Sequence, residues 1–256
     1  MTAPVRHRVL VTGGATGIGR AIVQAHLANG ARVHVTDIDP GALAELQGVL
    51  PQVTTTCMDV ADPDAYTVLR RDIDTGLRGL DAVVCNVGIS GPTMPVADYR
   101  FEDWQRVIGV NLTGVFLTAA TGIPYLRESD RGALVVLSSA AGRFGYANRS
   151  AYSASKWGLI GLVKTLALEL GPSGITVNAV QPGAVDGPRL RQVFEARAQL
   201  SGRTAEEEAS LGLDSQSIKR FTTADEVAAL VSFLTGPQAR TISGQAFPVD
   251  GDLARA

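Results

Sequence analysis

The sequence predicts an α/β fold: one domain built on a doubly wound parallel sheet, with the functional groups gathered at one end of the strands. Three observations lead there. Seven short apolar runs alternate with longer helical stretches, the first run passes straight into a glycine-rich turn and a helix, and several runs end in small polar residues. A length of 256 residues with 45% hydrophobic content is enough for a full core, and α/β domains of this size are common undivided. No internal repeat, linker or low-complexity segment divides residues 1–256.

The elements follow in order. Val9 to Thr12 is the first strand, and Gly13-Gly14-Ala15-Thr16-Gly17-Ile18-Gly19 is a turn opening the helix that continues from Arg20 to Asn29. Glycines there let a pyrophosphate approach the helix N-terminus, where free N–H groups and the macrodipole favour an anion. Ala31 to Thr36 is the second strand, ending at Asp37, about twenty residues past the turn, where a carboxylate meets an adenosine ribose. Asp37 would repel a 2′-phosphate, and no Lys or Arg stands at Ala15, Thr16 or Ile38 to compensate, so NAD is favoured over NADP. Asp39 instead competes for a capping role on the next helix.

Gln52 to Met58 is the third strand, closing at Asp59-Val60, with Asp62 as the N-cap of a helix through Thr75. Leu80 to Cys85 is the fourth, ending in Asn86-Val87-Gly88; Gly91 to Pro95 is a loop, and a long helix runs from Phe101 to about Tyr125. Within it Asn111 is an amide among Val110, Leu112 and Val115, and an amide on an apolar face needs hydrogen-bond partners, whether structural or catalytic. Gly132 to Ser138 is the fifth strand and Ser150 to Leu170 a helix whose small residues Ala151, Ala154, Gly158 and Gly161 allow close packing on the sheet or on a second subunit. Ile175 to Val180 is the sixth strand, leading to Gln181-Pro182-Gly183. Residues 186–220 turn polar and charged, either as a lid over the strand ends or as a solvated helical pair. Thr223 caps a helix through Leu234, and Gly244 to Val249 is the last strand.

The chemistry concentrates between Leu137 and Lys156. Tyr152 and Lys156 stand one helical turn apart on one face. A phenol is a poor base at neutral pH; bringing it into that range takes about 4 kcal/mol of differential interaction, which an adjacent ammonium and an oxidised nicotinamide can provide in a closed site. Ser139, at a strand end, adds a hydroxyl able to hold a substrate oxygen, with Ser138 its nearest rival. By itself a Tyr and a Lys at this spacing are usually a surface pair; the glycine turn and Asn111 argue otherwise.

Composition excludes other classes. A net charge of -2 and a pI near 5.9 give no bulk reason to bind nucleic acid or an anionic membrane. Cys57 and Cys85 lie in apolar runs without metal spacing and are expected as reduced core thiols, and His7, His26 and His34 form no cluster, so no metal site is expected. The N-terminal apolar run breaks after four residues at Gly13, too short for a signal peptide, and no later run of eighteen is expected to span a membrane; the cytoplasm is the expected location.

With the glycine turn, Asn86-Val87-Gly88, Asn111, Ser139, Tyr152, Lys156 and Pro182-Gly183 in this order, the chain resembles the short-chain dehydrogenase/reductase family over nearly its whole length. The resemblance implies a single-domain Rossmann-type doubly wound sheet of about seven parallel strands with helices on both faces, commonly as a homotetramer. It places Gly13, Gly17, Ile18 and Gly19 at the cofactor turn, Asp37 on the ribose, Asp59 and Val60 beside adenine, and Asn86 and Gly88 against the cofactor. Asn111, Ser139, Tyr152 and Lys156 match the catalytic tetrad, in which Tyr is the acid/base, Ser orients the oxygen, Lys binds the nicotinamide ribose and lowers the Tyr pKa, and Asn holds a water. Ser139 lies thirteen residues before Tyr152, as is usual in the family.

Two departures stand out. Val87 replaces the usual alanine, and Gly187 stands where many members have a threonine bonding the nicotinamide carboxamide. Val185, after Pro182 and Gly183, is then expected to meet the carboxamide through its backbone, and Arg189, with Arg191, to hold an anionic group on the substrate. Met94, Phe144, Tyr146, Val193 and Phe194 are candidates either for pocket walls or, equally, for core or interface positions. The implied activity is hydride transfer between NAD and a small secondary alcohol or ketone. A nucleotide sensor that tolerates loss of Tyr or Lys, or a lyase on the same scaffold, is the alternative.

Overall fold

The computed structural model describes residues 7–254. In chain order the elements are β1 (Arg8–Thr12), α1 (Gly17–Ala28), β2 (Arg32–Asp37), α2 (Pro40–Val49), β3 (Thr54–Cys57), α3 (Ala65–Gly76), β4 (Ala82–Cys85) and α4 (Phe101–Ile108). A π-helical turn, Gly109–Thr113, joins α4 to α5 (Gly114–Arg127), followed by β5 (Ala133–Leu137), α6 (Ser150–Leu170), β6 (Thr176–Pro182), α7 (Pro188–Ser201), α8 (Ala205–Asp214), α9 (Ala224–Leu234) and β7 (Ala246–Val249).

Every strand pairing is parallel, in the order β3-β2-β1-β4-β5-β6-β7. The central strands read as unbroken apolar runs because helices cover both faces: β4 and β5 are buried at every position. One core layer joins Val9, Val11, Val33 and Val35 to Ile22 of α1 and Val231 of α9; the other joins Leu10, Val83 and Val136 to Leu69 of α3, Val115 of α5 and Leu159 of α6. The chain order reverses between β1 and β4, so the loops beyond their carboxyl ends diverge and open a crevice there.

Local signals account for the helix ends. Asp39 caps α2, accepting from the N–H groups of Gly41 (2.8 Å) and Ala42 (3.1 Å), which settles its competing role. Thr223 and Glu226 form a reciprocal capping box on α9, as Thr204 and Glu207 do on α8. Asp62 does not cap α3: its carboxylate accepts from Asp64 N at 3.0 Å, a local turn that delays the helix to Ala65.

Two further expectations change, and one left open takes a definite form. Cys57 is exposed rather than a core thiol, because β3 is the sheet's edge strand, while Cys85 is buried in β4. The stretch Phe101–Arg127 contains an eighteen-residue window of mean hydropathy 1.5, long and apolar enough to cross a membrane where no such run was expected, yet half of that window is buried in the fold, as in a core helix. Residues 186–220 fold mainly as the helical pair α7 and α8, with α7 against the crevice.

Candidate active site

The crevice at the strand ends is a cleft of about 630 Å³. One half is built by the glycine turn. Gly13 N donates to Thr36 O (2.7 Å), and the Asn86 amide donates to Thr12 O (3.1 Å) and Gly13 O (2.8 Å), so β2 and β4 clamp the turn from both sides. Asn86 thus braces the turn with its side chain. A Cβ on Gly19 would collide with the Gly13 carbonyl, so the helix can start this close to the strand only with glycine there. Thr16, the N-cap of α1, makes no side-chain cap bond, and Gly17 faces open space, leaving the helix N-terminus accessible to an anion.

Asp37 lies at the end of β2, its carboxylate accepting from Ala15 N (3.2 Å) and Asp39 N (3.3 Å), and it faces the cleft with Ile38. Asp59 and Val60 line the same half. Burial pushes the Asp59 pKa up, but the Ala61 N–H (2.9 Å) and the Arg106 guanidinium (2.7 Å) outweigh it and hold it below the ordinary value. Arg106, which the sequence does not single out, is therefore part of the wall. An open helix N-terminus beside glycines, with a carboxylate at the next strand end, is a donor and acceptor set that fits a dinucleotide.

The other half carries the reactive groups. Lys156 is 3% exposed; its ammonium donates to Leu137 O at 2.8 Å and lies 5.7 Å from the centre of the Tyr152 ring. The Ser139 hydroxyl lies close enough to Tyr152 to lower the phenol's pKa and accepts from Ala141 N (3.1 Å), whereas Ser138 donates its hydroxyl to Lys156 O (2.9 Å), so Ser139 rather than Ser138 is turned to Tyr152. Burial alone would raise the Tyr152 pKa; the charges of Lys156 and Arg189, the Ser139 hydroxyl and the charge of Arg149 overcome it, and the net shift is downward. Burial likewise lowers Lys156, against the pull of Tyr152.

Asn111 is fully buried in the π-turn, the kind of helical irregularity that recurs at functional sites. Its amide pairs with both main-chain groups of Ile89 (2.7 and 3.0 Å) and donates to Ser155 Oγ (3.1 Å), so its visible bonds are structural ones. They anchor the segment after β4, where a Cβ on Gly88 would sit 3.2 Å from Lys156 Nζ and 3.4 Å from Asn111 Oδ1.

Pro182, Gly183 and Val185 follow β6 into the cleft. Val185 bridges Thr222 through its neighbours, Thr222 N donating to Ala184 O and Asp186 N to Thr222 O, which turns its own N–H and C=O to the opposite side. Gly187 has φ +150°, a conformation L side chains rarely adopt, so the threonine's absence here coincides with a backbone that needs glycine. Along α7, Arg189, Val193 and Arg197 stand at i, i+4 and i+8 and all line the cleft with Leu190 and Phe194. Arg191 is off that face, and Met94 and Phe144 are outside the lining, so those three expectations are corrected; Tyr146, Val193 and Phe194 do form walls. Arg149, unforeseen from the sequence, is 6% exposed and stacks its guanidinium 4.6 Å from the centre of the Tyr152 ring.

Comparison with known proteins agrees with this geometry. A family model described as Enoyl-(Acyl carrier protein) reductase matches residues 13–253. The chain is 33% identical over 242 residues to 2-dehydro-3-deoxy-L-rhamnonate dehydrogenase (NAD(+)) of Sphingomonas sp. (strain SKA58), covering 94% of this chain and 93% of that one. It is 34% identical over 250 residues to D-beta-hydroxybutyrate dehydrogenase of Cupriavidus necator, covering 94% and 95%. The crystal structure of levodione reductase superimposes with a TM-score of 0.89 at 30% identity, covering 96% of both chains.

Proposed function

Since the chain belongs to the short-chain dehydrogenase/reductase family, we propose that it is an NAD-dependent oxidoreductase interconverting a small secondary alcohol and its ketone, with Tyr152 as the acid/base. One observation carries this reading: the Tyr152 phenol lies beside Ser139 and the Lys156 ammonium and opens into the same cleft as the glycine turn and Asp37. Two of the relatives named above are dehydrogenases, one of them named for NAD, and a third is a reductase.

NAD bound in the cleft supplies the hydride acceptor at its nicotinamide. Gly13, Gly17, Ile18 and Gly19 would hold its pyrophosphate, Asp37 its adenosine ribose, Asp59 and Val60 the adenine side, and Asn86, Gly88, Tyr152, Lys156, Pro182, Gly183 and Val185 the nicotinamide half. Ser139 orients the substrate hydroxyl, and Tyr152, its phenolate favoured by Lys156, takes the hydroxyl proton. Asn111 holds the Ile89 backbone and, through it, the Gly88 surface facing Lys156 Nζ. Asp37 without a neighbouring cation at Ala15, Thr16 or Ile38 supports NAD over NADP, which tilts the reaction towards alcohol oxidation.

The working unit is one domain in which α7 and α8 act as the lid, in a cytoplasmic homotetramer. The outward face of α6, with Ala154, Trp157 (51% exposed), Gly161 and Leu168 (81% exposed), is apolar and small enough to support packing of a second subunit. The retained glycine turn and Tyr152–Lys156 pair leave the sensor and lyase readings without a supporting observation. The test is NADH formation, followed by absorbance, across a panel of secondary alcohols. Tyr152→Phe should lower turnover by about 10²- to 10⁴-fold, the usual worth of a positioned acid/base, while still binding NAD. Wild-type turnover in that variant would end the assignment.

A further inference from the structure

We propose that this cleft contains a carboxylate-binding subsite beside Tyr152, formed by the guanidiniums of Arg149 and Arg189 and extended by Arg197, so that the substrate is a hydroxy acid or oxo acid. The dehydrogenase reading above is needed only for the substrate's reacting group; the subsite itself stands on the following geometry.

Arg149 is buried, yet its Nε is buried without any hydrogen-bond partner, and its one polar contact is long, 3.5 Å from Nη2 to Ser90 O. Arg189, arriving from α7, donates from Nε to the hydroxyl of the same Ser90 at 3.2 Å. Two guanidiniums from separate elements thus converge on one residue of the segment after β4. Arg197, two turns further along the cleft face of α7, brings a third, 5.9 Å from the centre of the Tyr146 ring.

Among the described residues no carboxylate pairs with Arg149 or Arg189, whereas Arg8 pairs with Asp81, Arg106 with Asp59, Arg143 with Asp250 and Arg220 with Glu226. Burying an unpaired cation is costly, and placing like charges near it adds repulsion. Arg149 is also the N-cap of α6, the end where the macrodipole disfavours a cation and favours an anion. Burial lowers its pKa, with the like charges of Arg197 and Arg189 adding to that effect. A bound carboxylate would relieve every one of these strains, and the planar guanidinium fork matches its two oxygens. The alternative ligand, a cofactor phosphate, is poorly matched, because Arg149 and Arg189 reach Ser90 and Tyr152 and not the glycine turn or Asp37.

The test begins without turnover. The full chain saturated with NADH is titrated with acetate, butanoate and cyclohexanecarboxylate, with the corresponding carboxamides and with inorganic phosphate, the fluorescence of NADH reporting binding. The best carboxylate should bind at least tenfold more tightly than its amide and than phosphate. Arg189→Gln, at an exposed position, and Arg149→Gln should each shrink that acid-to-amide ratio by roughly ten- to a hundredfold, the loss of a charge-assisted bond. The same ratio is then read in kcat/KM for hydroxy acids and their amides. If Arg149→Gln does not fold, Arg189→Gln decides. Equal binding of acid and amide, a preference for phosphate, or an unchanged ratio in Arg189→Gln overturns the subsite. Turnover of alcohols without acid preference removes the subsite and keeps the dehydrogenase; arginine-dependent carboxylate binding without turnover of any alcohol does the reverse.

Discussion

Gly88→Ala probes the position of the Lys156 ammonium without replacing Lys156. Gly88 lies outside the left-handed region, so alanine accepts its backbone, and the new Cβ would stand 3.2 Å from Lys156 Nζ and 3.4 Å from Asn111 Oδ1. Ordinary contact begins a few tenths of an ångström further out. The Asn111 amide is pinned by three hydrogen bonds, so the ammonium, the free end of a flexible chain, is what moves. Moving it weakens its 2.8 Å bond to Leu137 O and its pull on Tyr152. A hydrogen bond to a charged group is worth about 1.5–3 kcal/mol, so kcat at saturating NAD should fall about 10- to 150-fold. Lys156 favours the phenolate, so its displacement raises the Tyr152 pKa, and the rise of kcat with pH in alcohol oxidation should move to higher pH. The thermal midpoint should change little, since no core atom is displaced. The assay is a kcat–pH profile with a melting curve on the same preparation; an unchanged limb and wild-type kcat would refute the role given to Lys156.

Two further outcomes follow from the same structure. Asp37→Ala removes a carboxylate whose repulsion of a 2′-phosphate is worth about 1–4 kcal/mol at contact, depending on the local dielectric, so the ratio of kcat/KM for NAD over NADP should fall at least about fivefold; an unchanged ratio would show that cofactor choice lies elsewhere. His34 is buried between Thr54 and Thr56 hydroxyls (2.8 and 2.9 Å), and burial lowers its pKa to about 4 against the opposing charge of Asp72. The unfolded chain binds that proton more readily, so His34 contributes fully above about pH 6.5 and its contribution is lost as pH falls from there towards 4, by at most about 3 kcal/mol. Urea midpoints at pH 7 and 4.5 should therefore converge in His34→Asn relative to wild type, and equal acid sensitivity in both would count against it.

Much of this was legible because each signal is local. The start and end of α6 and of α9 follow from their apolar spacing and, for α9, the Thr223–Glu226 box; Asp37, Asn86 and Ser139 read as site residues because each follows or ends an apolar run. The failures concern orientation. Cys57 faces out because β3 is an edge strand, and strand order is invisible in a short run. Arg191 was paired with Arg189 by proximity in sequence, whereas helical phase pairs Arg189 with Arg197, a distinction available only once α7 is known to start at Pro188. Arg149 carried a faint signal, a cation at the start of a helix where an anion is favoured. The π-turn had none: it forms where Gly109 and Gly114 pack against Ala61 and Val60, contacts set by the tertiary fold.

The acidity of Tyr152 is therefore a property of several elements at once. Lys156 acts from its own helix, Ser139 from the end of β5, Arg149 from the loop that enters α6, and Arg189 from α7. The first three are fixed by the sheet and by α6. Only Arg189 rides on an element outside the sheet's cover, held to the segment after β4 by its bond to Ser90. Any outward displacement of α7 removes one of the cations that offset the burial of the phenol, and so raises its pKa. The same displacement opens the cleft that α7 walls. The lid role proposed above for α7 would therefore couple closure over the substrate to the readiness of the base, because the Arg189 guanidinium belongs to both.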